Sequence, residues 1–168
     1  MFSSIYAQSD LDRALGYYKE DRLEASKEIL LALYAQNPKN YEVIYHLSNL
    51  YFKEANYKES AVLMKKMVDQ YPENEEYHFK YGGALGLYIK QHKTKVFQFL
   101  DDVKLHMKTA IEINDQYTDA YLGLVQLYSE LPSILGGSKR VAENYANILS
   151  TYNPKAAQEA FRIIESVN

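Results

Sequence analysis

The chain has 168 residues, of which 47% are hydrophobic and 24% are charged, a composition typical of a folded protein rather than a disordered one. Its formal net charge of −3 gives no electrostatic basis for nucleic-acid binding, which usually requires a basic face. The absence of cysteine excludes disulfide frameworks, zinc–thiolate sites and cysteine nucleophiles, and the longest apolar stretch, 29–35, is far too short to span a bilayer.

The first eight residues, MFSSIYAQ, are apolar and rich in small side chains, and they precede a polar helix start at Ser9 and Asp10. Such a pattern is typical of the end of a secretory signal, and endings in YAQ resemble those of exported proteins of the Bacteroidetes type. An ordinary disordered N-terminus is the alternative. We therefore expect residues 1–8 to be a signal remnant or disordered and residues 9–168 to form one domain. The expected location is periplasmic or exported, with the cytoplasm as the alternative.

Amphipathic stretches separated by Pro, Asn and Gly predict an all-helical chain. No stretch shows sustained period-two alternation, so we expect essentially no sheet. The predicted helices cover residues 10–20, 23–36, 41–54, 57–70, 75–91, 95–113, 118–130, 138–151 and 155–166.

An internal repeat organises these helices. Pro38 and Pro72 lie 34 residues apart, each after one amphipathic stretch and before the next, and Pro154 lies in a similar place. Between Pro38 and Pro72, large and small residues alternate at a fixed spacing, which suits two helices in close contact. These positions are Ile44, Leu47, Ser48, Tyr51, Ser60, Met64, Met67 and Pro72.

This second repeat resembles the tetratricopeptide repeat family, and weaker likenesses extend the resemblance over about residues 10–155. The third repeat is nine residues too long and the fourth carries a five-residue insertion. The resemblance implies a right-handed α-solenoid of about four degenerate helix pairs, closed by a C-terminal capping helix that covers the last apolar face.

In this family the first helix of each pair lines a concave groove. The resemblance therefore implies a partner-binding face of aromatic, amide and glycine residues. Mid-helix glycines cost about 1 kcal/mol each relative to Ala, so they require either close helix contact or space for a ligand. The family pattern assigns Gly82 to helix contact. The predicted groove residues are Tyr45, Asn49, Phe52, Phe79, Gly83, Gly86, Leu122 and Gln126.

The extra length of the third repeat predicts a projecting helical hairpin. Its tip, residues 91–94, lies between Lys90 and Lys95, and the apolar residues Val96, Phe97, Phe99 and Leu100 follow it. A partner-docking knob and a longer hairpin that packs on itself are both consistent with this pattern. A homo-oligomer formed through the hairpin is a further candidate.

The second insertion ends in Gly136, Gly137 and Ser138. Its N–H groups could hold an anion at the start of the following helix, although a capped turn is the simpler interpretation. Residues 131–142 also resemble exported repeat proteins similar to the T component of tripartite periplasmic transporters.

Nothing in the chain predicts catalysis. The four histidines, His46, His78, His92 and His106, show no metal-ligand spacing, and no nucleophile motif is present. We expect no enzyme, no cofactor and no metal. The predicted function is a protein–protein interaction scaffold that binds a protein or peptide segment in the groove. A small-ligand-binding or transport-accessory subunit of the cell envelope is the alternative.

Overall fold

A computed structural model describes residues 2–167, with side chains described from Gln8 onward. Over these residues the secondary structure is helical, which confirms the predicted all-α class. The α-helices are α1 (Phe2–Lys19), α2 (Leu23–Gln36), α3 (Tyr41–Lys53), α4 (Tyr57–Gln70), α5 (Glu75–Gln91), α6 (Val96–Ile113), α7 (Thr118–Glu130), α8 (Lys139–Tyr152) and α9 (Pro154–Ser166). Short 3-10 turns cover Lys93–Lys95 and Ser133–Leu135.

The helices fall into two compact units, residues 1–72 and 73–168. In the first unit α1 packs on α2 and α3 packs on α4, and the first helices α1 and α3 also touch. In the second unit the pairs are α5 with α6 and α7 with α8, while α9 covers both α7 and α8. These are the helix pairs and the cap that the repeat pattern predicts. The single domain over residues 9–168 stays a prediction, because each unit is described by itself.

Asparagine side chains fix where several helices begin. The side chain of Asn40 accepts hydrogen bonds from the backbone N–H groups of Glu42 and Val43, and Asn74 accepts one from Tyr77. Each bond satisfies an N–H group that has no partner inside the first helical turn. Asn40 and Asn74 lie 34 residues apart, so the period of the sequence is also the period of the caps.

The turn inside each pair of the first unit repeats at the same interval. Asp21 and Ala55 both adopt positive φ, 60° and 58°, between the paired helices. The following N–H groups bond back to the ends of the first helices, from Arg22 to the Tyr17 carbonyl and from Asn56 to the Tyr51 carbonyl. This arrangement closes helix ends with a left-handed residue and reverses the chain in three residues.

The core of the second repeat matches its prediction. Ile44, Leu47 and Met64 are at most 1% exposed, and the small residues Ser48 and Ser60 are buried between α3 and α4. Small side chains let the two helix backbones approach, and the large ones fill the space beside them. The pattern that identified the repeat is therefore the pattern of its packing.

The N-terminal helix differs from its prediction. We expected a helix over residues 10–20, but α1 begins at Phe2. The signal remnant at residues 1–8 stays a prediction, because Met1 and the side chains of residues 2–7 lie outside the described part of the chain. Over the described residues, none of the helices combines the length and apolarity that crossing a bilayer requires.

Candidate functional site

The first-helix face of the residue 1–72 unit carries the predicted residues of α3 in one row. Tyr45, Asn49 and Phe52 follow the spacing that places side chains on one side of a helix. Tyr45 and Asn49 are half-buried, while the Phe52 ring is 40% exposed and meets Tyr57 edge-on at 5.3 Å between ring centroids. This row combines two aromatic rings and an amide on one side of α3.

A small cavity opens beside this row, between α1 and α3. It measures about 30 Å³ and is lined by Leu15, Tyr18, Leu30, His46 and Asn49. Such a volume accommodates a water molecule or a methyl group. Asn49 therefore lies at a point where a partner could insert a small group between the two first helices.

Lys53 joins the two first helices at the edge of the same face. Its Nζ lies 4.9 Å from the centroid of the Tyr18 ring and 2.6 Å from an Asp21 carboxylate oxygen. The hydrogen bond to Asp21 raises the pKa of Lys53. Sequence reasoning missed Tyr18 and Leu15, although both lie 34 residues before Phe52 and Asn49, so the repeat period alone identifies them.

In the residue 73–168 unit, Phe79 is anchored rather than free to turn. Its ring meets Tyr117 edge-on at 5.6 Å, and a Cβ on Gly123 of α7 would lie 3.6 Å from its Cε2 atom. Leu122 of α7 is half-buried. The structure thus brings the predicted Phe79 against α7, and it adds Gly123, which sequence reasoning did not single out.

The three glycines of α5 have different surroundings. A Cβ on Gly82 would lie 3.3 Å from the Met107 side chain and 3.4 Å from the backbone of α6, closer than most real contacts. Gly83 and Gly86 would meet their nearest atoms at 3.8 and 3.6 Å, ordinary contact distances. Close helix contact explains Gly82, as the family pattern implied. Helix contact does not require glycine at position 83 or 86, since a Cβ at either would make only an ordinary contact.

Gln126 takes part in a hydrogen-bond network with Glu130 and Lys90. Its Nε2 donates to Glu130 Oε1 at 2.8 Å, and Lys90 of α5 donates to both Glu130 oxygens at 3.1 and 2.9 Å. Burial raises the pKa of Glu130 and the bonds from Gln126 and Lys90 lower it, leaving the pKa below its usual value. Glu130 is therefore a fixed anion between α5 and α7.

The backbone N–H groups of the turn at Gly136, Gly137 and Ser138 are hydrogen-bonded within the chain. Their backbone N–H groups donate to the carbonyls of Ser133, Pro132 and Tyr128, respectively. The predicted anion site assumed that these three N–H groups were free. Each of them already donates to a carbonyl of the chain, so that assumption was wrong. The Ser138 side chain instead caps α8 by accepting from the Val141 N–H group.

Two histidines meet inside the third repeat. The Nδ1 atoms of His78 on α5 and His106 on α6 lie 2.8 Å apart, so one nitrogen donates and the other accepts. Their rings stack at 4.9 Å, and Tyr81 contacts His106 edge-on. The described residues contain no group of three or more His, Cys, Asp or Glu side chains that could hold a metal ion. The pair thus fits a role in joining α5 to α6.

Comparison with known proteins finds a family model that matches the first part of the chain. The Tetratricopeptide repeat family model matches residues 6–80. No curated protein matches the chain.

Solved structures extend the likeness beyond residue 80. A thermophilic tetratricopeptide repeat protein of Thermus thermophilus is 17% identical, with a TM-score of 0.69 over 96% of this chain and 80% of that one. A tetratricopeptide repeat protein of Parabacteroides merdae is 16% identical, with a TM-score of 0.72 over 96% of this chain and 59% of that one. YrrB, described as having an unusual peptide-binding site, is 14% identical, with a TM-score of 0.58 over 95% and 84% of the two chains. These likenesses show a common fold.

Proposed function

We propose that this protein is a non-enzymatic scaffold for protein–protein interaction. The proposal is supported by the match of residues 6–80 to the tetratricopeptide repeat model and by the fold that the described chain shares with such proteins. Its first helices would bind an extended or helical segment of a partner. The observation that carries the proposal is the row of Tyr45, Asn49 and Phe52 on α3, with a small cavity beside it.

The chemistry of this row suits a protein partner. Tyr and Phe rings bury large apolar areas with few rotatable bonds, so they serve as anchors in interfaces. Asn49 can both donate and accept hydrogen bonds, which suits the backbone of a bound segment. Lys53, held by Asp21 and the Tyr18 ring, places an ion pair at the edge of the row.

Structural neighbours give the proposal its context. YrrB is described as having a peptide-binding site, and its fold is shared by this chain. Peptide binding by this chain remains part of the proposal, because likeness at 14% identity concerns the fold.

Affinity purification from the source organism tests the proposal. The full chain carrying Tyr45→Ala or Phe52→Ala should recover about tenfold less of the partner that the unchanged chain captures, since aromatic anchors carry much of the free energy of binding. Val62→Ala is the matched control, because Val62 is 55% exposed but lies on α4, a second helix of the same unit. Equal recovery of the partner by the unchanged chain and all three variants would show that the first-helix face does not bind it. Circular dichroism should confirm that each variant is folded.

A further inference from the structure

The two insertions that depart from the repeat pattern meet at one apolar cleft in the residue 73–168 unit. The cleft measures about 350 Å³, near the lower end of the roughly 300–1,000 Å³ typical of binding pockets. The end of the long hairpin supplies one wall and the insertion after α7 supplies the other. Gly86 lies in its lining, where the missing side chain leaves room.

The apolar walls are built from aliphatic side chains and one proline. They are contributed by Ile89, Val96, Leu127, Leu131, Pro132 and Leu135. Phe97 and Ile134 follow or precede lining residues in the sequence and are 86% and 93% exposed. Large apolar side chains at such exposure are typical of a surface that another molecule covers.

The insertion wall is held in place before anything binds. A Cβ on Gly137 would lie 1.7 Å from the Leu131 carbonyl oxygen, so the chain reverses there only because residue 137 is glycine. Lys104 Nζ donates to the Leu135 carbonyl oxygen at 3.1 Å and thereby ties the insertion to α6. A wall fixed in this way loses little conformational entropy on binding.

The rim of the cleft is positively charged. Lys90 Nζ forms an ion pair with Glu130 at 2.9 Å. Glu130 is the one carboxylate that lines the cleft, so its negative charge is balanced by Lys90. Lys93 also lines the cleft and is exposed, and none of the ion pairs found among the described residues involves it. At the rim, Lys93 therefore favours a negative charge beside an apolar group.

We infer that this cleft docks a partner peptide segment in which a large apolar side chain lies next to Asp or Glu. The apolar side chain enters between Ile89 and Leu131, and the carboxylate pairs with Lys93. This surface is additional to the row of Tyr45, Asn49 and Phe52, and it uses none of those residues.

Phage display of random dodecapeptides, selected on the full chain, tests the inference. Enriched peptides should share a large apolar residue beside an acidic one. Their affinity is then measured by fluorescence anisotropy on synthetic copies. Lys93→Glu should weaken binding about tenfold and reduce its salt dependence, because it reverses the charge at the rim. Lys155→Glu, the same charge change at an exposed lysine on α9, should leave the affinity within about twofold.

A second variant tests the apolar part. Gly86→Leu places a side chain in the cleft and should abolish peptide binding while Tyr45→Ala leaves it unchanged. If Gly86→Leu does not fold, Lys93→Glu decides alone, since Lys93 is exposed. The inference is overturned if no such peptides are enriched, or if Lys93→Glu binds them as well as the unchanged chain does. It is equally overturned if the fatty-acid anion dodecanoate binds in the cleft and no peptide does. A dimer of the chain that light scattering detects and that Lys93→Glu dissociates would overturn it too.

Discussion

Gly82 of α5 lies so close to Met107 of α6 that a Cβ on the glycine would be 3.3 Å from Met107 Cγ and 3.4 Å from its backbone nitrogen. The Val103 carbonyl oxygen closes the same space at 3.4 Å. The longest helix pair of the described chain is thus joined through a close approach of α5 to α6, tighter than most side chains accept without a shift of the neighbouring helix. Gly83, one residue further along, faces only the mobile end of Met107 at 3.8 Å.

Adjacent glycines should therefore respond to alanine with opposite signs. Gly82→Ala should lower the free energy of unfolding by about 1 kcal/mol, because the backbone of α6 must move to admit the methyl group. Gly83→Ala should raise it by about 0.5–1 kcal/mol, because Ala favours the helix and its Cβ would make only an ordinary contact with Met107. Urea unfolding of both variants measures the difference. Equal changes in the two variants would contradict the close contact at Gly82.

The cap at the start of α3 gives a second stability prediction. Asn40 Oδ1 accepts from the N–H groups of Glu42 and Val43 at 3.1 and 3.3 Å, whereas Asn56, at the corresponding position of α4, makes no side-chain capping bond. Asn40→Ala should lower the free energy of unfolding by about 1 kcal/mol. Asn56→Ala should change it by less than about 0.5 kcal/mol. Thermal unfolding of the two variants separates these outcomes, and an Asn56→Ala loss as large as that of Asn40→Ala would refute the assignment of caps.

A cluster of tyrosines between α7 and α8 predicts sensitivity to alkaline pH. Tyr145 stacks on Tyr128 and meets Tyr121 edge-on, both at 6.0 Å. Burial, with smaller contributions from Tyr128, Tyr121 and Glu112, raises the pKa of Tyr145, and burial also raises that of Tyr121. The folded chain then keeps these protons at a pH where the unfolded chain loses them. The associated stability is present below the unfolded pKa of about 10 and is lost as pH rises through the folded pKa.

Replacing Tyr145 with Phe should flatten that loss. The melting temperature of the unchanged chain should fall more steeply between pH 8 and about pH 11 than that of Tyr145→Phe, which keeps the ring and removes the titrating hydroxyl. The two proteins should melt at similar temperatures at neutral pH. Parallel curves across the alkaline range would show that Tyr145 ionises in the folded chain as readily as in the unfolded one.

Local signals explain why the helices could be predicted so closely. Eight of the nine helices of the described chain begin and end within one residue of the predicted bounds, because asparagine and serine caps and the prolines act within a few residues of themselves. The start of α1 was missed, since residues 2–8 carry no strong periodic pattern. The buried residues of the second repeat were predicted from its resemblance to the tetratricopeptide repeat pattern.

Contacts between residues far apart in the sequence could not be predicted in the same way. The His78–His106 bond, the contact of Phe79 with Tyr117, and the cleft shared by the two insertions join residues 28 to 49 positions apart. Their geometry depends on how the longer third repeat packs, which the template spacing does not contain. The occupied N–H groups of Gly136 and Gly137 depend likewise on a loop conformation that composition alone leaves open.

Hydroxyl-radical footprinting of the full chain, alone and with its captured partner, tests most directly whether partners bind the first-helix face. Phe52 and Leu31 are exposed to similar extents, 40% and 39%, but Phe52 lies on the first helix α3 and Leu31 on the second helix α2. The proposed function predicts that the partner protects Phe52 from oxidation and leaves Leu31 as reactive as before. Protection of Leu31 with Phe52 unchanged would contradict it.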